Sequence, residues 1–175
     1  MNLSFKNILL WVSGLFGLLV FVFSFIAGLK VTATTAISTS VYEYKSIVWG
    51  VKEFTYTVNG VSNVVQIGRT LSSTVGIVGA IFVFVAAIAA VVFSFVVLDN
   101  EVVQKVIMFA SALFMVVGGI LCFFTLNGFK ACFNSADASA IFDGAKVSCA
   151  LPIVSGILGI LGGGAIVASQ VIPER

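Results

Sequence analysis

The chain has 175 residues, of which 60% are hydrophobic and only 9% charged, far from the roughly 45–50% apolar and 25% charged make-up of a soluble domain. Its formal net charge of +2 is small, and it has no Lys/Arg cluster of the kind that gathers nucleic acid or anionic lipid. Histidine is absent, which removes the commonest general base and the usual nitrogen ligands of zinc and haem.

Charges are confined to short stretches. They leave uncharged runs at 7–29, 70–98, 106–129 and 147–173, each at least as long as the roughly 20 residues needed to cross a hydrocarbon core about 30 Å thick. The predicted fold class is therefore all-α membrane: a four-transmembrane-helix bundle with helices at about 8–29, 73–98, 106–127 and 151–172, boundaries being good to roughly 2–4 residues. Lys6 ahead of the first run resembles the start of a secretory signal, but that run exceeds the roughly 7–15 residues of a signal core, so it is read as a span, with Trp11 as its interfacial anchor.

The first loop has the habit of strands, and a small β-rich extramembrane cap is expected over about 31–68. Phe54, Tyr56 and Val58 alternate up to Asn59 and Gly60, and Val61, Val65 and Ile67 follow. Asn-Gly between such runs predicts a two-residue hairpin turn, because both turn positions need positive φ. A third strand or packing on the bundle is required to hold it, since an isolated hairpin is marginal in water. Tyr42, Tyr44, Trp49 and Tyr56 are expected in the core of this sheet or at headgroup level, with a partner-binding surface as the rival reading.

The second span, rich in Val, Ile, Phe, Leu and Ala, is the most apolar, and a tight turn at 99–105 makes it an antiparallel hairpin with the third. Asn100 is placed to cap that third helix, with Glu101 at its positive end. The spans contain no ionisable side chain, which argues against a proton-coupled pump or a voltage sensor. The many Phe residues, among them Phe21, Phe25, Phe82 and Phe84, are spaced to point all round their helices.

Cys132 and Cys149 bracket the second loop, whereas Cys122 lies in the third span. A disulfide between the bracketing pair is expected, worth roughly 3 kcal/mol on the chain-entropy model. It would put both longer loops outside the cytoplasm and both tails inside, in a multi-pass protein of the cell membrane. Basic residues run against that orientation: Lys6, Lys105 and Arg175 would lie inside and Lys30, Lys45, Lys52, Arg69, Lys130 and Lys146 outside.

In the fourth span Ser155, Gly159 and Gly163 form a small-xxx-small strip for close helix packing. Packing within one bundle is the favoured use of the strip, and a homo-oligomer seam is the other. Asp137, Asp143, Glu43 and Glu53 read as solvated surface, and Gly162–Gly164 has no following Lys to make a phosphate cradle. No catalytic residue, metal site or cofactor is expected. The partners expected are the lipid bilayer, a second copy through span four and a protein on the loop side, with no nucleic acid.

Four spans, a long strand-rich first loop, a tight turn between spans two and three and a smaller second loop together resemble the layout of claudins and peripheral myelin protein. The resemblance is one of layout: the claudin loop carries a Trp-Gly-Leu-Trp motif with two following cysteines, whereas Trp49-Gly50 continues into Val51-Lys52 and this loop has no cysteine. Residues 1–127 are also similar in style to small four-span bacterial membrane proteins of unassigned function, through the patch Ile47-Val48-Trp49-Gly50 ahead of a strand-like stretch. Neither resemblance implies an activity. The function expected is structural or interaction work in a membrane, with a subunit of an oligomeric pore as the alternative.

Overall fold

The computed structural model describes residues 4–96 and 98–172. Four helices are long and apolar enough to cross a membrane: α1 (Phe5–Ile26), α2 (Thr74–Phe95), α3 (Glu101–Phe123) and α6 (Ala150–Val171). At 1.5 Å per residue, 22 residues span about 33 Å. Of the four, α6 has the lowest mean hydropathy, the dilution that its glycines foretell.

The helices form a ring in the order α1, α2, α3, α6, each packed on two neighbours. What they bury is small: Ser13, Gly14, Gly17, Gly79, Ala86, Ala90, Gly118, Gly159 and Ser169 all face inward. What they expose is large, including Leu15, Leu18, Val85, Ile88, Leu113, Phe109, Ile157 and Leu161. A water-soluble bundle shows the reverse distribution, and so extensive an apolar exterior is matched to a hydrocarbon solvent.

The expected span 8–29 begins and ends three residues late, and 106–127 begins five residues late. In α1 the helix stops at Ile26 because Leu29 already pairs with Tyr44 in a strand. In α3 it starts at Glu101 because the Asn100 side chain accepts from the N–H groups of Val102 and Val103, at 3.1 and 3.2 Å. Lys105, read as part of the turn, therefore lies inside the helix, ion-paired with Glu101 at 2.6 Å. At α2, Ser73 caps the helix by accepting from the N–H of Gly76.

Between α1 and α2 four strands rise and return: β1 (Leu29–Thr34), β2 (Thr39–Tyr44), β3 (Val51–Val58) and β4 (Val61–Leu71). The connection from α3 to α6 holds two short helices, α4 (Thr125–Lys130) and α5 (Ser135–Phe142), and a strand, β5 (Lys146–Ser148). The sheet is antiparallel in the order β4-β3-β2-β1-β5. The cap is thus built from both loops, whereas the sequence assigned it to the first alone; β5 joins through the pairs Lys30↔Ser148 and Thr32↔Lys146.

The core of the cap lies between one sheet face and α4–α5. Leu29, Val31, Tyr44, Val51 and Leu71 pack there with Phe129 and Phe142. The backbone of Ile47 ties this core to two helices of the bundle at once. The Ile47 N–H donates to the carbonyl of Ala27 at the end of α1, and the Ile47 carbonyl accepts from Ser73 at the start of α2, both at 2.9 Å.

Candidate interaction surface

Strand alternation sorts the side chains of the cap into two faces. On the inner face, register pairs stack Tyr42 against Tyr56, and Tyr44 against Phe54, with centroids 4.8 and 5.2 Å apart. The row continues inward from Tyr44 to Phe129, and from Phe129 to Phe133, at 5.4 and 5.5 Å. On the outer face the cross-strand pairs are polar: Lys30 with Glu43, Gln66 with Glu53 and Thr57 with Ser62, each at 2.8 Å.

Cover on the inner face is uneven. Tyr44 is buried with Phe129, whereas Tyr42, Phe54, Tyr56 and Val58 are half-buried. Beyond them β4 continues the same face with Val61 and Val65, their register partners being Val58 and Phe54, and these valines are 65% and 38% exposed. The aromatic row therefore runs out of its helical cover into an open shelf.

That shelf ends at a sheet edge. β4 is the terminal strand, 11 residues long, with no strand on its outer side. Exposed edges in stable proteins are usually blunted by Lys, Pro, bulges or shortness. Here 61–68 carries neither Pro nor charge, and the register irregularity falls at the base, between Val51 and Glu53. Near that base the Arg69 guanidinium donates to the Cys132 carbonyl at 2.7 Å, which pins the lower end of the strand.

Asn59 and Gly60 form the tip of the hairpin with φ of 48° and 85°, closed by the pair Val58↔Val61. Trp49 sits at the opposite, bundle end of the sheet. Its indole N–H donates to Ser24 Oγ at 2.7 Å, and its ring stacks on Phe25 at 5.1 Å. Trp11 meets Phe95 edge-on at 5.2 Å near the other end of the bundle.

The expected disulfide is not formed: Cys122, Cys132 and Cys149 are free thiols. Cys132 faces the short link between β4 and α2, where its thiol donates to the Ser72 carbonyl at 3.1 Å. Cys149 is the N-cap residue of α6, and burial pushes its thiol up to about 11. The bracketing argument failed because the intervening segment is not a slack loop. It is held by β5 pairing with β1 and by Phe129, Phe133 and Phe142 in the core.

Ser155, Gly159 and Gly163 lie on the buried side of α6. A Cβ on Gly159 would come within 2.7 Å of the Gly119 Cα, and one on Gly163 within 2.9 Å of the Ala112 carbonyl. The strip is occupied by α3 of the same chain. The bundle axis is filled by Leu10, Val20, Val83, Met108, Met115 and Ile166, all buried. Among the described residues no group of His, Cys, Asp and Glu converges in a way that could hold a metal ion.

Sequence reasoning missed α4 and α5 as the cover of the sheet. Their signal was the cluster of large apolar rings, Phe129, Phe133 and Phe142, in a segment read as a polar loop. Compared with known proteins, the chain matches no family model and is not significantly similar to any curated protein.

Proposed function

We propose that the chain is a non-enzymatic multi-pass membrane protein that works by engaging a protein partner through its cap, the partner adding a strand to the free edge of β4. The observation that carries this reading is the uncharged, Pro-free stretch 61–68 on a terminal strand, beside the uncovered ends of the aromatic row. Strand addition draws affinity from main-chain hydrogen bonds and specificity from alternate side chains. The exposed Val61 and Val65, with the half-buried Tyr56 on the neighbouring strand, supply such side-chain contacts. The pore alternative, a path enclosed by several copies, draws no support from the axis of one bundle, which is filled by buried side chains.

With the thiols free, the ground for placing the sheet outside is gone. Lys30, Lys45, Lys52, Arg69, Lys130 and Lys146 on the sheet side, against Lys6 and Lys105 on the other, support a cytoplasmic cap as our reading, by the positive-inside tendency; Arg175 lies outside the described residues. A Ser62→Cys variant at the exposed hairpin, in a background lacking the native thiols, tests this. An impermeant maleimide should label it only after cells are opened, and labelling of intact cells reverses the orientation.

A photo-crosslinking residue at Val64 tests partner engagement. Irradiated native membranes should give one adduct of discrete mass, and Ser62→Pro, which removes an N–H from the free side of β4, should abolish it while helicity is retained. No adduct, or one indifferent to the Pro, sinks the strand-addition reading. The adduct mass shows whether the partner is a second copy.

A further inference from the structure

Just inside the bundle at the cap end, the last turns of α1 and α3 and the first turns of α2 and α6 enclose a chamber of about 10 Å³, with Ala27 and Val48 on its cap side. One water molecule needs roughly 10–15 Å³ measured in this way, so the chamber has room for one and for nothing larger. Three hydroxyls line it from three different elements: Ser24 on α1, Thr125 at the start of α4 and Ser155 on α6. All three residues are buried, at 4%, 1% and 4% exposed.

Their hydrogen bonding is unequal. Ser24 gives its proton to the Phe21 carbonyl at 2.6 Å and accepts from the Trp49 indole N–H at 2.7 Å. A hydroxyl oxygen has two lone pairs, so one remains. Thr125 and Ser155 make no side-chain hydrogen bond among the described residues. No buried side-chain oxygen sealed off from open space lacks a partner, so these two oxygens keep surface on the chamber they line. Gly76 of α2 keeps that space open, because a Cβ there would lie 2.9 Å from both Oγ1 and Cγ2 of Thr125.

An unbonded hydroxyl among apolar groups is costly, and here two of them share one chamber with the free lone pair of a third. We propose that the chamber is a binding site for a single water molecule, which donates to Ser24 Oγ and bonds to the hydroxyls of Thr125 and Ser155. About three bonds is the usual complement of a buried water. A hard cation is the poorer occupant, since it takes about six oxygens or more and the lining offers three hydroxyls and no carboxylate. Because Ser24 also holds Trp49, the water extends that bond from the first loop, through α1, to α4 and α6.

Experimental density for the full wild-type chain, at a resolution that shows ordered solvent, should contain one isolated peak about 2.7–3.2 Å from the three oxygens; a chamber without density overturns the proposal. The energetic test is the sign of a substitution. Thr125→Val keeps the shape of the side chain and deletes its hydroxyl. With water bound, it strips a partner from that water and should lower the folding equilibrium constant about fivefold or more, measured by loss of helical circular dichroism on titrating dodecyl maltoside micelles with sodium dodecyl sulfate. In a dry chamber it removes an unbonded hydroxyl and leaves the constant unchanged or raised, which also overturns the proposal. Ser155→Ala should lower the constant by a similar factor. The double variant should lower it by less than the product of the two factors, since both hydroxyls hold the same molecule. Thr125 and Ser155 make no bond to each other, so factors that multiply in full sink the shared site. The wild-type density decides the matter even where a variant does not fold.

Discussion

The close backbone contact between α3 and α6 makes a quantitative prediction. A methyl at Gly119 would lie 2.8 Å from the Gly156 carbonyl oxygen, 3.0 Å from the Ile160 nitrogen and 3.2 Å from the Gly159 carbonyl carbon. All three are backbone atoms of α6, so no side chain can swing aside and the two helices must part. Parting by about 0.5 Å forfeits roughly a quarter of the dispersion energy of the atoms at the seam. Overpacking of this kind costs about 1–3 kcal/mol, and Gly119→Ala should fall in that range. Gly159→Ala, whose methyl would sit 2.7 Å from the Gly119 Cα, should cost about the same. The double variant should cost less than the sum by about 0.5 kcal/mol or more, because one separation relieves both clashes. Gly162→Ala meets the mobile thioether of Met115 and should be milder, and Gly164→Ala, with nothing within 4 Å, should be neutral or slightly stabilising through helix propensity. The assay is loss of helical circular dichroism on titrating dodecyl maltoside micelles with sodium dodecyl sulfate. If Gly119→Ala matches Gly164→Ala, or the Gly119 and Gly159 costs add in full, the close α3–α6 approach is refuted.

At the hairpin tip, where Gly60 has φ of 85°, Gly60→Val should cost about 1–2 kcal/mol, the penalty for a side chain in left-handed backbone; faster hydrogen exchange confined to β3 and β4 is the check. Cys149, its thiol pushed up from about 9 to about 11 by burial, should be alkylated at pH 8 about 100-fold more slowly than an unperturbed thiol, because only the thiolate reacts; peptide mass spectrometry of a timed iodoacetamide reaction measures it. Burial, with Tyr42 adding to it, holds the Tyr44 hydroxyl up at about 12. Folding thus favours the protonated phenol. Its contribution to stability is intact below the ordinary phenol value of about 10 and is lost as the pH climbs from there to about 12. Tyr44→Phe should flatten this alkaline loss as followed by near-ultraviolet circular dichroism, and an unchanged slope contradicts the assignment.

The four long helices were legible because hydrocarbon imposes a one-dimensional rule: a long run without charge reads as a span. Local turn chemistry was legible for the same reason, since Asn59-Gly60 and the Asn100 cap are fixed by their own backbone needs. Long-range relations were not. Whether Cys132 could reach Cys149 depended on how 133–148 folds, and that segment folds on the sheet rather than on itself. The small-residue strip of α6 announced a close partner but not its identity, because Gly159 presents the same bare backbone to α3 as it would to another copy.

The same physics sets how the cap and bundle communicate. Ile47 is buried and bonds by its backbone to the end of α1 and the start of α2 at once. Two residues on, Trp49 is bonded to Ser24 in α1 and stacked on Phe25, while Phe21, one turn back, stacks on Phe84 of α2 with centroids 4.1 Å apart. A force on the sheet therefore reaches the α1–α2 pair through groups that cannot yield independently: a backbone flanked by its own hydrogen bonds and an indole wedged between a hydroxyl and a ring. α3 and α6 have a different tie, for they touch the cap through α4 and β5 and are bound to each other by glycine backbones. The seam between those two pairs is itself closed by a glycine contact, because a Cβ on Gly118 of α3 would come within 2.7 Å of the Gly79 carbonyl oxygen of α2, so the four helices are held as one body.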